Sequence, residues 1–74
     1  MAYYFTAKIR QEVGKNIKRV REKRKLKQVQ VAVDAGVNPS YYSKAERGEV
    51  NLSLEKLFRI IKSLKVKSSD ILPF

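Results

Sequence analysis

Gln28-Val-Gln-Val-Ala-Val-Asp-Ala-Gly-Val-Asn-Pro-Ser-Tyr-Tyr-Ser-Lys-Ala-Glu-Arg-Gly48 is the stretch that decides how this chain folds. Its first eight residues space Val31, Ala32 and Ala35 on one side, as a short helix does. Gly36 follows, where a helix end favours a left-handed residue. Asn38-Pro39 then supplies a favoured N-cap and a favoured first helical residue, so a second short helix is predicted over 39–47, stopping at Gly48. Gly36-Val37-Asn38 is thus the short, glycine-containing connection of a helix-turn-helix. Val31, Ala32 and Ala35 face Tyr42 and Ala45 across the turn, with Val37 as its plug. Taken alone, this spacing serves an ordinary helical hairpin equally well.

Working outward, the upstream segment spaces Ile9, Val13, Ile17 and Val20 by four, four and three, which predicts a helix from about Ala7 to Lys25 with Thr6 as its cap. Gly14 inside it marks either a close approach or a weak spot. Downstream, Ser53 caps a helix whose wide apolar face is Leu54, Leu57, Phe58, Ile60, Ile61 and Leu64. Ser68 or Ser69 caps a last short helix, Asp70 to Leu72, ended by Pro73. Lys27 is a poor N-cap. Val29 and Val33, four apart, are expected to pack against the aromatic Met1–Phe5 segment rather than form an exposed patch or meet a partner. The expectation is an all-α, compact five-helix domain, one domain over residues 1–74.

The 74 residues include 17 Lys+Arg against 7 Asp+Glu, no His and no Cys, for a net charge of +10. Thiolate and imidazole chemistry is excluded, both catalytic and metal-binding. A chain this short buries only roughly 60% of its unfolded surface and has little wall for a substrate pocket. No enzyme activity, cofactor, metal or small-molecule ligand is expected. There is no apolar run long enough to span a membrane and no signal-peptide pattern, which makes a cytoplasmic, nucleoid-associated location the default. The charge calls for a partner: nucleic acid first, because displaced counterions reward clustered Lys/Arg, then an anionic membrane surface, then mere solubility.

Leu26 to Gly48, together with Asn51 to Val66 and Ile17 to Arg21 upstream, resembles the phage repressor/Cro-like family of transcriptional regulators, also called the xenobiotic-response-element family. The ordered set Gln28, Ala32, Ala35-Gly36-Val37, Glu46-Arg47-Gly48 and Ser53-Leu54 carries the resemblance, which spans about residues 13–72 and also extends to restriction–modification controller proteins. It implies a sequence-specific regulator of double-stranded DNA, a homodimer on a palindromic operator, with helix 39–47 in the major groove. It further implies that Gln28 touches a phosphate or a base-contacting side chain, that Arg47 and Asn51 clamp the DNA backbone, and that Arg21 and Glu46 form a partly buried salt bridge. Lys27 and Ala45 depart from the family pattern, which favours a capping hydroxyl and a larger apolar residue there.

Within that frame, Lys44 is the leading base reader, since an ammonium donates to guanine O6 and N7. Ser40 and Ser43 fit closely against bases, beside Asn38 at the cap. Pro39 and Tyr41 offer apolar contacts, and the Tyr41 hydroxyl reaches toward a phosphate. Lys25 and Lys27 are the expected phosphate contacts beside Gln28. Ile71, Leu72 and Phe74 either fold back on the core or form the subunit contact; the resemblance favours the contact. Two alternatives remain open: an antitoxin-type protein that binds a toxin and its own operator, and a non-specific nucleic-acid or membrane-surface binder.

Overall fold

The structure, a computed structural model, describes residues 6–73. Helix α1 (Ala7–Lys23) begins where the Thr6 hydroxyl accepts from the Ile9 amide at 3.2 Å. It buries Val13, Gly14, Ile17 and Val20, the apolar face read from the spacing. It ends two residues earlier than expected. Arg24 is its cap, and Lys25 turns left-handed at φ 59° so that the Leu26 amide can reach the Arg21 carbonyl. A lysine takes that conformation at a steric cost, and no glycine announces it.

Helix α2 (Gln28–Ala35) starts without a side-chain cap from Lys27; Gln30 instead reaches back to accept the Lys27 amide at 2.8 Å. Gly36, at φ 70°, ends it. Helix α3 (Pro39–Glu46) is capped by Asn38, whose side chain accepts from the Ser40 and Tyr41 amides, and Arg47 closes it before Gly48 at φ 72°. Helix α4 (Leu54–Leu64) is capped by Ser53 and ends on a left-handed Lys65.

The last element corrects the five-helix expectation. Ser68–Asp70 is a single 3₁₀ turn, so the described residues hold four helices. Only five residues separate Lys67 from Pro73, and Pro73 has no N–H with which to extend the turn.

The core gathers Val13, Ile17, Val20, Val31, Ala32, Ala35, Val37, Tyr42, Leu57, Ile60, Leu64 and Ile71. Helix α4 packs chiefly on α2, and α1 on α3. Ser63 donates to Asp34 at 2.7 Å and ties α4 to α2 at their edge. One expectation about apolar residues changes. Leu54 and Phe58 are 82% and 62% exposed, because α2 and α1 cover only the Leu57, Ile60, Leu64 side of α4. Val29 and Val33 are also exposed; Met1–Phe5, expected to cover them, lies outside the described residues.

Ile71 is fully buried in its own chain, which corrects its assignment to a subunit contact. Asn16 donates to its carbonyl at 2.8 Å and fastens the tail to α1. Leu72 is half-buried against the same core, and Phe74 lies outside the described residues.

Gly14 is a close approach. A Cβ there would come within 2.6 Å of the Ala45 carbonyl oxygen, and closer still to that of Glu46. Both obstacles are backbone, so α1 and α3 would have to separate. Gly14→Ala is therefore expected to destabilise the fold, although alanine favours helix by about 1 kcal/mol over glycine. Urea unfolding of the two proteins checks this; a more stable variant would refute the close contact.

Candidate nucleic-acid interface

The helix-turn-helix is locked from behind by one charged cluster. Arg21 of α1 donates through Nε to Glu46 Oε2 at 2.6 Å and through Nη2 to Oε1 at 3.2 Å. Its Nη1 donates to the Leu26 carbonyl at 2.7 Å, bracing the link between α1 and α2. Gln28, at the start of α2, donates to Glu46 Oε1 at 2.9 Å. One carboxylate at the end of α3 thus gathers α1 and α2. The side chains are 11% and 2% exposed for Arg21 and Glu46, so the pair is a buried one.

Burial pushes the Glu46 carboxyl up, but the hydrogen bonds from Arg21 and Gln28 pull it down further, and it stays below its ordinary value. Arg21 is held correspondingly more firmly protonated by Glu46. Tyr42 lies in the same pocket. Its hydroxyl makes no hydrogen bond of ordinary geometry, and burial first, then the neighbouring Glu46 charge, pushes its ionisation far above the usual phenol range.

In front of this lock, α3 turns its polar residues outward. Asn38, Pro39, Ser40, Lys44 and Arg47 are exposed; Tyr41 and Ser43 are half-buried. The Tyr41 hydroxyl donates to the Asn51 carbonyl at 2.9 Å, so it is committed within the chain, contrary to the phosphate contact expected for it. The Lys56 ammonium sits over the Tyr41 ring, 4.2 Å from its centre, a cation–π contact. Arg10 of α1 donates to Asn51 Oδ1 at 3.0 Å. Asn51 is therefore held from two sides, by its carbonyl and its side chain. Arg47 donates through Nε to Glu49 Oε2 at 2.8 Å and through Nη1 to Ser43 Oγ at 2.8 Å. Lys25 and Lys27 are exposed at the two ends of the link preceding Gln28.

Sequence reasoning missed four of these contacts: Gln28 to Glu46, Arg10 to Asn51, Lys56 over Tyr41, and Arg47 to Glu49. Only the last had a local signal, an opposite charge two residues away across a glycine. The others join residues 18, 41 and 15 positions apart and depend on how the helices cross.

The sequence pattern of a family described as helix-turn-helix matches residues 17–71. An immunity repressor protein of Bacillus phage phi105 is 41% identical over 59 residues, 80% of this chain; the chain spans only 41% of that protein's length. Control protein C.BamHI of Bacillus amyloliquefaciens is 33% identical over 70 residues, which cover 93% of this chain and 86% of that protein. Among solved structures, the restriction-modification controller protein C.Esp1396I, crystallised as a tetramer with its natural 35 base-pair operator, matches with a TM-score of 0.77 at 28% identity, over 82% of this chain and 80% of that one.

Glu46→Gln should cost about 3–5 kcal/mol at neutral pH, the usual loss when one partner of a buried pair goes. Glu46 has a lowered native pKa, so its contribution is complete above the unfolded carboxyl's range and fades as pH falls through the lower native value. The stability gap between wild type and variant should accordingly shrink in acid. Urea unfolding at neutral and at strongly acidic pH measures it; a gap independent of pH would sink the assignment.

Proposed function

Since the chain belongs to the helix-turn-helix family, we propose that it is a sequence-specific regulator that binds double-stranded DNA as a homodimer, with α3 in the major groove. The observation that carries this reading is the division of α3. Tyr42, Ala45 and Glu46 are buried and fix its orientation, while Pro39, Ser40, Lys44 and Arg47 are exposed. Such a helix has an outward face shaped for a partner and an inward face that holds it still. C.Esp1396I, of similar fold, engages its operator as a tetramer, which supports a multimeric arrangement here.

The residues divide by chemistry. Lys44 reads bases as a donor to guanine, with Ser40 and Ser43 as short polar neighbours and Pro39 as an apolar one. Lys25, Lys27, Arg47 and Asn51 contact the backbone, where position rather than sequence is read. Gln28 spends one amide hydrogen on Glu46 and keeps the other for a phosphate at the start of α2. Tyr41 contributes its ring edge and, through the Asn51 carbonyl, the placement of the loop after α3.

The second copy docks on the exposed face of α4. Leu54 and Phe58 lie one turn apart there, and beside them Glu55 and Arg59 pair at 2.5 Å. An apolar pair flanked by one acid and one base is self-complementary under a two-fold axis: each copy offers the other an opposite charge. Elsewhere the basic surface of this chain repels its own kind. A dimer of this sort sets two recognition helices about 34 Å apart, one turn of DNA.

Selection from a random duplex library is expected to enrich a palindromic site, with affinity that also falls with salt. Enrichment of nothing, with salt alone controlling binding, would refute sequence specificity. Lys44→Ala should relax preference at a single position in each half-site, at about 1–3 kcal/mol; uniform weakening on all sequences would remove it from base reading. Phe58→Glu should turn a dimer into a monomer in light scattering while leaving the helical circular-dichroism signal of the folded chain intact. A wild-type monomer, or a dimeric Phe58→Glu, would refute the α4 contact.

A further inference from the structure

Arg47 and Glu49 sit in an open cleft of about 670 Å³ between α1 and the end of α3, lined also by Gln11, Lys15, Lys18 and Ser43. Lys15 and Lys18 project from one face of α1, three residues apart, and both are exposed. Glu46 also lines the cleft, with Gln28, but is paired with Arg21 and buried, so Glu49 is the exposed anion there, and its position is built into the backbone. Gly48 takes φ 72° and lies so close to α1 that a Cβ there would fall 2.8 Å from the Gln11 Cα. The Glu49 amide then donates to the Lys44 carbonyl at 2.9 Å, closing the end of α3. The carboxylate so placed meets the Arg47 guanidinium in a two-pronged fashion, Nε to Oε2 at 2.8 Å and Nη2 to Oε1 at 3.4 Å. With Nη1 on Ser43, every nitrogen of Arg47 is engaged. Arg47, and Lys44 to a smaller degree, hold Glu49 below its ordinary carboxyl range, so it stays charged.

A carboxylate and a DNA phosphate present the same pair of oxygens to an arginine fork. From this we infer that the cleft is a seat for a backbone phosphate, and that Glu49 occupies it in the free protein as an internal stand-in that DNA must displace. The inference rests on the DNA-binding reading above and adds to it a residue that opposes binding. Both side chains are about half exposed, at 54% and 52%, so nothing blocks the exchange, and exposed pairs of this kind hold weakly. Lys15 and Lys18 enlarge the seat from the α1 side. On leaving Arg47, Glu49 draws a cation from solution, so the complex releases one counterion fewer than its phosphate contacts alone would give. Glu49 therefore moderates both affinity and salt sensitivity.

The test needs no operator, because phosphate contacts are independent of sequence. Binding of a mixed-sequence duplex of about 20 base pairs is measured by fluorescence anisotropy from about 50 to 200 mM salt. Glu49→Gln is expected to tighten binding about 3- to 10-fold and to steepen the plot of log K against log salt by about 0.9, one phosphate's worth. Glu12→Gln, the same charge change on the α1 face that carries Asn16 and Arg19, controls for net charge and should do much less. In an Arg47→Ala background, Glu49→Gln should have no effect beyond that of Glu12→Gln. Equal effects of the two glutamine variants, or a full Glu49→Gln effect without Arg47, would overturn the inference while leaving DNA binding intact. A wild-type protein that binds no duplex would overturn both.

Discussion

The carboxylate of Glu46 is the point on which the rest of this structure depends. It is buried at the end of α3 and meets Arg21 from α1 and Gln28 from α2. Each alternative is costly: without Arg21 the charge is stranded in the core, and without Glu46 the guanidinium is. The three helices therefore have one mutual arrangement in which both buried charges are paired. In a chain with so small a core, apolar packing alone would leave neighbouring arrangements close in energy, and the directional cluster separates them. The orientation of α3, and with it everything the outward face can read, follows from that choice.

Much of this was legible in the residues. The turn between α2 and α3 was plain, because Gly36 and Asn38-Pro39 are local instructions that act through backbone conformation. The apolar face of α1 was equally plain from its spacing. What failed were inferences in which an apolar residue had two homes. Leu54 and Phe58 fit the helical stripe of α4, but the stripe is wider than the neighbours that cover it. Ile71 looked available to a partner, yet three residues of 3₁₀ turn bring it back into its own core. The end of α1 was missed because Lys25 takes a left-handed conformation that its side chain does nothing to advertise.

The interface shows the same division. Arg21 with Glu46 was anticipated through a resemblance, whereas no spacing rule suggests Gln28 with Glu46 or Arg10 with Asn51. Those contacts arise from helix crossings and become visible only in three dimensions. The excess charge of +10 correspondingly separates into unlike parts. Arg21 and Arg10 serve the protein's interior bracing, Lys56 sits on an aromatic ring, Arg47 is already partnered by Glu49, and Lys44 stands exposed on α3. Net charge describes the field at a distance and says little about any one of these.

The contact at Gly14 has a further consequence. With no side chain between them, the backbones of α1 and α3 rest on each other, and the distance from Lys15 and Lys18 to the polar row of α3 is set by peptide groups instead of by adjustable side chains. That makes the two rows a fixed gauge. On the proposed docking of α3 in the major groove, a duplex whose groove matches that width would fit both rows at once, and a stiffer or differently shaped one would have to be bent. Discrimination would then extend to base pairs that no side chain touches, through the energy needed to deform them.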